Sequence, residues 1–176
     1  FFKFTPGASG TRLATLTIPN NDADENPYVI NLYGVGGTFA AEPTAQATNL
    51  TFSNIKSYRL TVSFTASNPA SEGYLVLRKK GSAITDAPVD GNVYSKGDYI
   101  GSSQVVYNGA ATSFVPNNIV AGSDYYFAVF SYNGPNQFRN YLQVIPLSND
   151  TTTLATMMVN YYSGISVAAD SFLTDL

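Results

Sequence analysis

The sequence predicts an all-β chain: a two-sheet antiparallel β-sandwich of about seven strands, preceded by an extra β-hairpin and followed by a short helix. Three observations carry this. Apolar and polar residues alternate at period two in short stretches, the spacing of a strand with one covered face. Gly, Pro, Asn and Asp punctuate those stretches at close intervals. Ser, Thr and Asn make up 50 of the 176 residues and are joined by 13 Tyr, whereas charged residues amount to only 12%. That palette favours strands and turns over solvated helices.

Taken in order, Arg12–Ile18 puts Ala14, Leu16 and Ile18 on one face and Leu13, Thr15 and Thr17 on the other. The turn-rich stretch Pro19–Pro27 follows, and Tyr28, Ile30 and Leu32 then alternate with Val29, Asn31 and Tyr33. Together they form a hairpin, which cannot bury both faces alone. Gly34–Thr38 ends it, and Ala40–Ala47, with Pro43, reads as a linker. A meander begins near Glu42. Leu50 and Phe52 belong to its first strand, and Leu60, Val62 and Phe64 to its second. Gly73–Lys80 follows, with two apolar faces that suggest a central position, and its end, Arg78-Lys79-Lys80, reads as a solvated run guarding an edge. Gly81–Ser103 is a long turn-rich connection. Val105–Tyr107 is a short strand, closed by Asn108-Gly109 as a type I′ turn. Phe114-Val115 opens another strand, Asp124–Tyr132 is a long one, and Asn140–Ile145 is expected to be the last.

Over roughly Glu42 to Thr153 this pattern resembles a fibronectin type III domain, which implies an immunoglobulin-like antiparallel sandwich. Leu60-Thr61-Val62-Ser63-Phe64 matches the family's second strand, with Phe64 in the place usually held by Trp. Ile119-Val120-Ala121-Gly122-Ser123-Asp124-Tyr125-Tyr126-Phe127-Ala128-Val129 reproduces the spacing of the family's corner motif, with Ala121 in the usual Pro place. The resemblance makes Tyr125 the corner tyrosine, its ring between the sheets and its hydroxyl on a backbone group across the turn. Ile119, Phe127 and Val129 are then core positions.

The flanks carry weaker resemblances. Thr11–Gly37 is similar to the last hairpin of the immunoglobulin-like choice-of-anchor D domains of secreted bacterial proteins. Val159–Leu176 is similar to the opening turn and helix of the endonuclease I-type nucleases of Bacteroidetes. The expected organisation is residues 1–40 as the end of one domain, 41–153 as a complete module, and 154–176 as a linker and the start of another. Phe1–Gly7 looks like the end of a strand and no signal-peptide pattern opens the chain, so the chain is expected to begin inside a larger precursor.

The chain has no His, Cys or Trp. Ser-His-Asp and Cys-His nucleophile systems, thiolate zinc sites and histidine-ligated iron or copper are therefore excluded, and no catalytic set is expected in this segment. Nine Lys and Arg against twelve Asp and Glu provide no clustered cationic footprint for nucleic acid. No apolar run approaches the ~18 residues of a membrane span. The absence of Cys excludes a disulfide framework but is silent on compartment.

Four features remain as candidate sites. Asp22, Asp24 and Glu25 offer hard oxygen ligands for Ca²⁺, although without EF-hand spacing; the alternative is a solvated hairpin loop shaped by its Asp and Asn side chains. Asp86, Asp90, Asp98 and Asp124 all sit in turn contexts rather than facing one another as a hydrolytic carboxylate pair. Tyr94 and Tyr99 are candidate stacking platforms for sugar rings, weighed against packing at the core or an edge. Asp150-Thr151-Thr152 looks like the O-glycosylation acceptor of Bacteroidetes, with Thr151 as the site, in the expected interdomain linker.

The function these readings favour is a noncatalytic extracellular spacer or interaction module of a larger secreted bacterial protein, a nuclease if the downstream resemblance holds. Its partners are then the neighbouring domains of the same polypeptide. The alternatives are a cell-surface adhesive or filament-forming protein assembling with other copies by strand addition, and a carbohydrate-binding module for cell-surface glycans.

Overall fold

The structure, a computed structural model, describes residues 8–156. The expected strand end at Phe1–Gly7 and the expected helix in Val159–Leu176 lie outside the described residues. The chain divides into two compact units, Phe1–Phe39 and Ala40–Leu176.

In the first unit, β1 (Gly10–Ile18) and β2 (Tyr28–Gly36) pair antiparallel from Gly10↔Gly36 to Ile18↔Tyr28. β2 runs through Gly34 and Val35 instead of ending at Tyr33, because the glycines cost the ladder only side-chain packing, not hydrogen bonds. Ala14, Leu16, Ile30 and Leu32 share the half-covered face, whereas Leu13 and Tyr33 on the other are 81% and 80% exposed.

In the second unit, β3 (Thr48–Ser53), β4 (Thr61–Thr65) and β8 (Ser113–Phe114) form a three-stranded sheet in the order β3-β4-β8. The facing sheet has the order β10-β9-β5-β7-β6. Its members are β5 (Gly73–Lys80), β6 (Tyr99–Ile100), β7 (Ser103–Gly109), β9 (Asp124–Asn133) and β10 (Asn140–Tyr141), and β11 (Leu147–Thr152) also pairs with β9. All pairings are antiparallel. The result is an immunoglobulin-like β-sandwich. Leu50, Leu60, Val62 and Phe64 from the small sheet meet Tyr74, Val76, Tyr125, Phe127 and Val129 from the large one in the central core.

The large sheet has a second core on its outer face. Leu75, Leu77, Val105, Ala128, Phe130, Tyr132 and Tyr141 pack there beneath Ile84, Ala87, Tyr94 and Ile100 from the connection between β5 and β7. That connection is therefore a cover, and it explains why β5 is apolar on both faces: every residue from Gly73 to Arg78 is buried. β9 is likewise buried from Phe127 to Tyr132.

Four local expectations change. Asn108-Gly109 is not a type I′ turn. Both residues lie inside β7, opposite Leu75 and Tyr74, and neither has a positive φ. The Asn108 side chain donates to the Tyr94 carbonyl at 2.6 Å and accepts from the Tyr132 hydroxyl at 2.9 Å, bonds that a hairpin tip could not make. Asn140–Ile145 is a strand only at Asn140 and Tyr141. The chain then leaves the ladder around Ile145 (φ 48) and Pro146, which has no N–H to give, and returns as β11. Gln46 fills the gap: the Ser131 N–H donates to its Oε1 at 2.9 Å, and its Nε2 donates to the Leu142 and Val144 carbonyls at 2.7 and 3.2 Å. Asp150-Thr151-Thr152 lies in β11 rather than in a linker, with Thr151 opposite Tyr125. Finally, Arg78-Lys79-Lys80 guards no edge, since β5 is flanked by β7 and β9 and Arg78 is 8% exposed.

The chain enters and leaves the sandwich at opposite ends. At entry, the Ala40 N–H donates to the Phe138 carbonyl, Asn140 Nδ2 to the Ala40 carbonyl and Asn133 Nδ2 to the Ala41 carbonyl, each at 2.9 Å. At exit, the Thr153 N–H donates to the Ser123 carbonyl at 3.0 Å, the Gly122 N–H to the Leu154 carbonyl at 2.9 Å, and the Ser57 hydroxyl to the Ala155 carbonyl at 3.4 Å. Ser123 directly precedes β9 and Asn133 closes it. The ten residues of β9, rising ~3.3 Å each, hold the two points about 30 Å apart.

Candidate functional site

The corner between β8 and β9 is built around Tyr125. Its ring is 3% exposed, and the Val120 N–H donates to its hydroxyl at 3.0 Å, five residues back across the turn. Gly122 makes that turn possible at φ 57, a conformation that L side chains rarely adopt. Ile119, Phe127 and Val129 are 5% exposed or less in the same core. Phe64 meets Tyr74 edge-on, ring centroids 5.0 Å apart.

Arg78 lies beside this corner. Its guanidinium sits 5.2 Å from the Tyr125 ring centre, Nη1 donates to the Asn117 carbonyl at 2.6 Å and Nη2 to Gln104 Oε1 at 2.7 Å. Desolvation lowers its pKa, yet a guanidinium stays protonated in proteins. A cleft of about 460 Å³ opens here, lined by Arg78, Lys80, Tyr99, Gln104 and Tyr125 among others.

A second cleft, about 470 Å³, lies near the entry end between Tyr94, Lys96, Tyr107, Asn108, Tyr132 and Arg139. Arg139 stacks 4.0 Å from the Tyr132 ring centre, and its Nε is buried without a partner. Burial raises the pKa of both Tyr132 and Tyr141, against the pull of the Arg139 charge. These rings are committed to one another: Tyr132 meets Tyr141 at 5.6 Å and Tyr141 meets Tyr94 at 6.0 Å.

The two tyrosines singled out from the sequence are therefore not brought together. Tyr94 is half-buried, and its hydroxyl accepts the Val89 N–H at 3.1 Å. Tyr99 is 66% exposed on β6 and belongs to the Arg78 cleft. Asp22, Asp24 and Glu25 lie in an exposed loop organised by Asn20, whose Oδ1 accepts the Asp22 N–H at 2.8 Å and whose Nδ2 donates to the Glu25 carbonyl at 2.9 Å. Among the described residues, no three or more His, Cys, Asp or Glu side chains gather to hold a metal ion. Thr151 is half-exposed on β11. Of the four turn carboxylates, Asp86 is the most engaged: Ser103 Oγ donates to it at 2.7 Å, and the Ser102 N–H and Oγ each at 3.2 Å. These bonds, Ser103 first, lower its pKa.

Sequence reading missed Arg78, Asn108, Gln46 and Arg139. Arg78, Asn108 and Gln46 act on groups far along the chain, Arg139 reaches back across a turn to Tyr132, and no local spacing announces such partners.

No family model matches the chain, and no curated protein matches it in sequence. Among solved structures, it is similar to a redesigned β-sandwich protein at 17% identity, covering 64% of this chain and 97% of the other, with a TM-score of 0.45. It is also similar to a fibronectin type III domain of human collagen XX at 17% identity (67% and 100% covered, TM-score 0.41). A third is the fibronectin type III domain of human fibronectin type III domain containing protein 3, at 14% identity (69% and 94% covered, TM-score 0.43). With likenesses of this size, the assignment of the fold rests on the strand order and register above. No helix among the described residues is long and apolar enough to cross a membrane.

Proposed function

We propose that residues 40–155 are a noncatalytic spacer module of a larger secreted bacterial protein, working outside the cell between neighbouring domains. One observation carries this: the chain enters at one end of a doubly cored sandwich and leaves at the other, with both points tied by hydrogen bonds. A module joined in this way transmits position along the polypeptide, because moving one neighbour means moving the whole rigid sheet. The second core stiffens it further, since β5 and β9 are packed on both faces. The polar palette, poor in Lys and Glu, and the sequence resemblances at the flanks support the extracellular setting. On this reading the parent's activity, nuclease or other, belongs to residues outside the sandwich.

Sedimentation equilibrium of the 176-residue chain tests the reading against its filament-forming alternative. A spacer sediments as a single 18.8 kDa species over the micromolar range. Concentration-dependent growth into dimers or fibres would overturn it in favour of strand addition.

A further inference from the structure

The register of the large sheet sets four side chains in a row at the exit end. Phe127 lies opposite Arg78, Arg78 opposite Gln104, and Gln104 opposite Tyr99. Opposed residues point to the same face, here the inner face, where the row runs out from the core at Phe127. Lys80, opposite Tyr125, shares that face one pleat further on, whereas Lys79 points to the other side. Arg78 and Tyr99 are two strand spacings apart, about 10 Å. The cleft over the row shares Gln104 and Asn118 with a smaller depression of about 290 Å³ that adds Lys96, so the two form one groove. Four of the nine Lys and Arg of a chain with net charge −3 line it, Arg78, Lys79, Lys80 and Lys96, of which Lys79 alternates to the opposite face of β5.

Arg78 is the informative member. Its guanidinium is buried, yet both hydrogen-bond partners described above are neutral, a carbonyl and an amide oxygen. A buried charge is costly unless an opposite charge compensates it. Beside it, the groove offers an exposed aromatic ring on an edge strand, and amide and hydroxyl side chains from Gln104, Asn118 and Ser102. Cations, a free ring and neutral polar groups together suit an anionic sugar, which presents charge, an apolar ring face and hydroxyls at once. A polyphosphate would meet the cations but leave the exposed Tyr99 ring without a partner.

We propose that this groove binds an acidic oligosaccharide, its carboxylates or sulfates met by Arg78, Lys80 and Lys96 and one pyranose ring stacked on Tyr99. The proposal goes beyond the spacer reading and stands independently of it. Isothermal titration of the 176-residue chain with hexagalacturonate, a heparin hexasaccharide, cellohexaose and a hexaglutamate peptide tests it. One or both acidic sugars should bind, more weakly as salt is raised, and cellohexaose should not; which of the two binds distinguishes carboxylate from sulfate recognition. Lys80→Glu and Tyr99→Ala, both at exposed positions, should each lower affinity about tenfold with thermal midpoints unchanged, and Tyr99→Phe should restore it. The proposal is overturned if neither acidic sugar binds at millimolar concentration, if hexaglutamate binds as tightly as the sugars, or if affinity is indifferent to both substitutions.

Discussion

Tyr125 shows how one side chain can serve two structural purposes. Its ring fills the inter-sheet core while its hydroxyl holds the Val120 N–H. Tyr125→Phe keeps the ring and orphans the N–H, so urea denaturation should show a loss of about 1–2 kcal/mol. This residue was legible in the sequence because ring and partner are five positions apart within one corner motif. Arg78 was not, since its partners Gln104 and Asn117 arrive from other strands and loops; a basic run was read as solvated when its first member is buried. Asp86 has a pH signature. Its carboxyl titrates lower in the folded chain than its usual 3.8, so as pH falls the unfolded chain takes up the proton first. The stability it contributes is therefore whole above pH 3.8 and is lost as pH drops through the lower, folded value. Asp86→Asn should flatten the acid limb of a stability-against-pH curve, seen by thermal melts between pH 2 and pH 5.

At the scale of elements, β5 explains the most. Its unbroken apolar run announced a central strand, and it is central, between β7 and β9. What covers its outer face could not be read, because the connection between β5 and β7 is rich in turn residues and lacks periodicity. Only a few scattered side chains, Ile84, Ala87, Tyr94 and Ile100, make it a lid over Leu75 and Leu77. Leu77→Ala distinguishes a lidded face from a solvated one. In a core it should cost about 2–5 kcal/mol, measured by chemical denaturation, whereas on an open sheet face the loss would be well under half of that. The last strand was misplaced for a related reason. β11 has the sequence Leu-Ser-Asn-Asp-Thr-Thr, a poor match to any strand pattern, and is held by its ladder to β9 and by Asn149 Nδ2 donating to the Leu50 carbonyl at 2.8 Å. Hydrogen bonding from a long neighbour outweighed local propensity.

For the molecule as a whole, alternation and turn spacing made the sandwich legible, whereas the path of the chain through it emerged only from the pairing. Entry beside Asn133 and exit beside Ser123 place the two junctions at opposite ends of β9, and that separation is what a spacer needs. The native absence of cysteine allows it to be measured without background labelling. Spin labels on Ala41→Cys and Ala155→Cys, both at exposed positions, report the distance between the junctions by double electron–electron resonance. A single narrow distribution near 30 Å, the length of β9, is expected. A distribution centred well below that, or one spread broadly by a loose junction, would contradict the spacer reading.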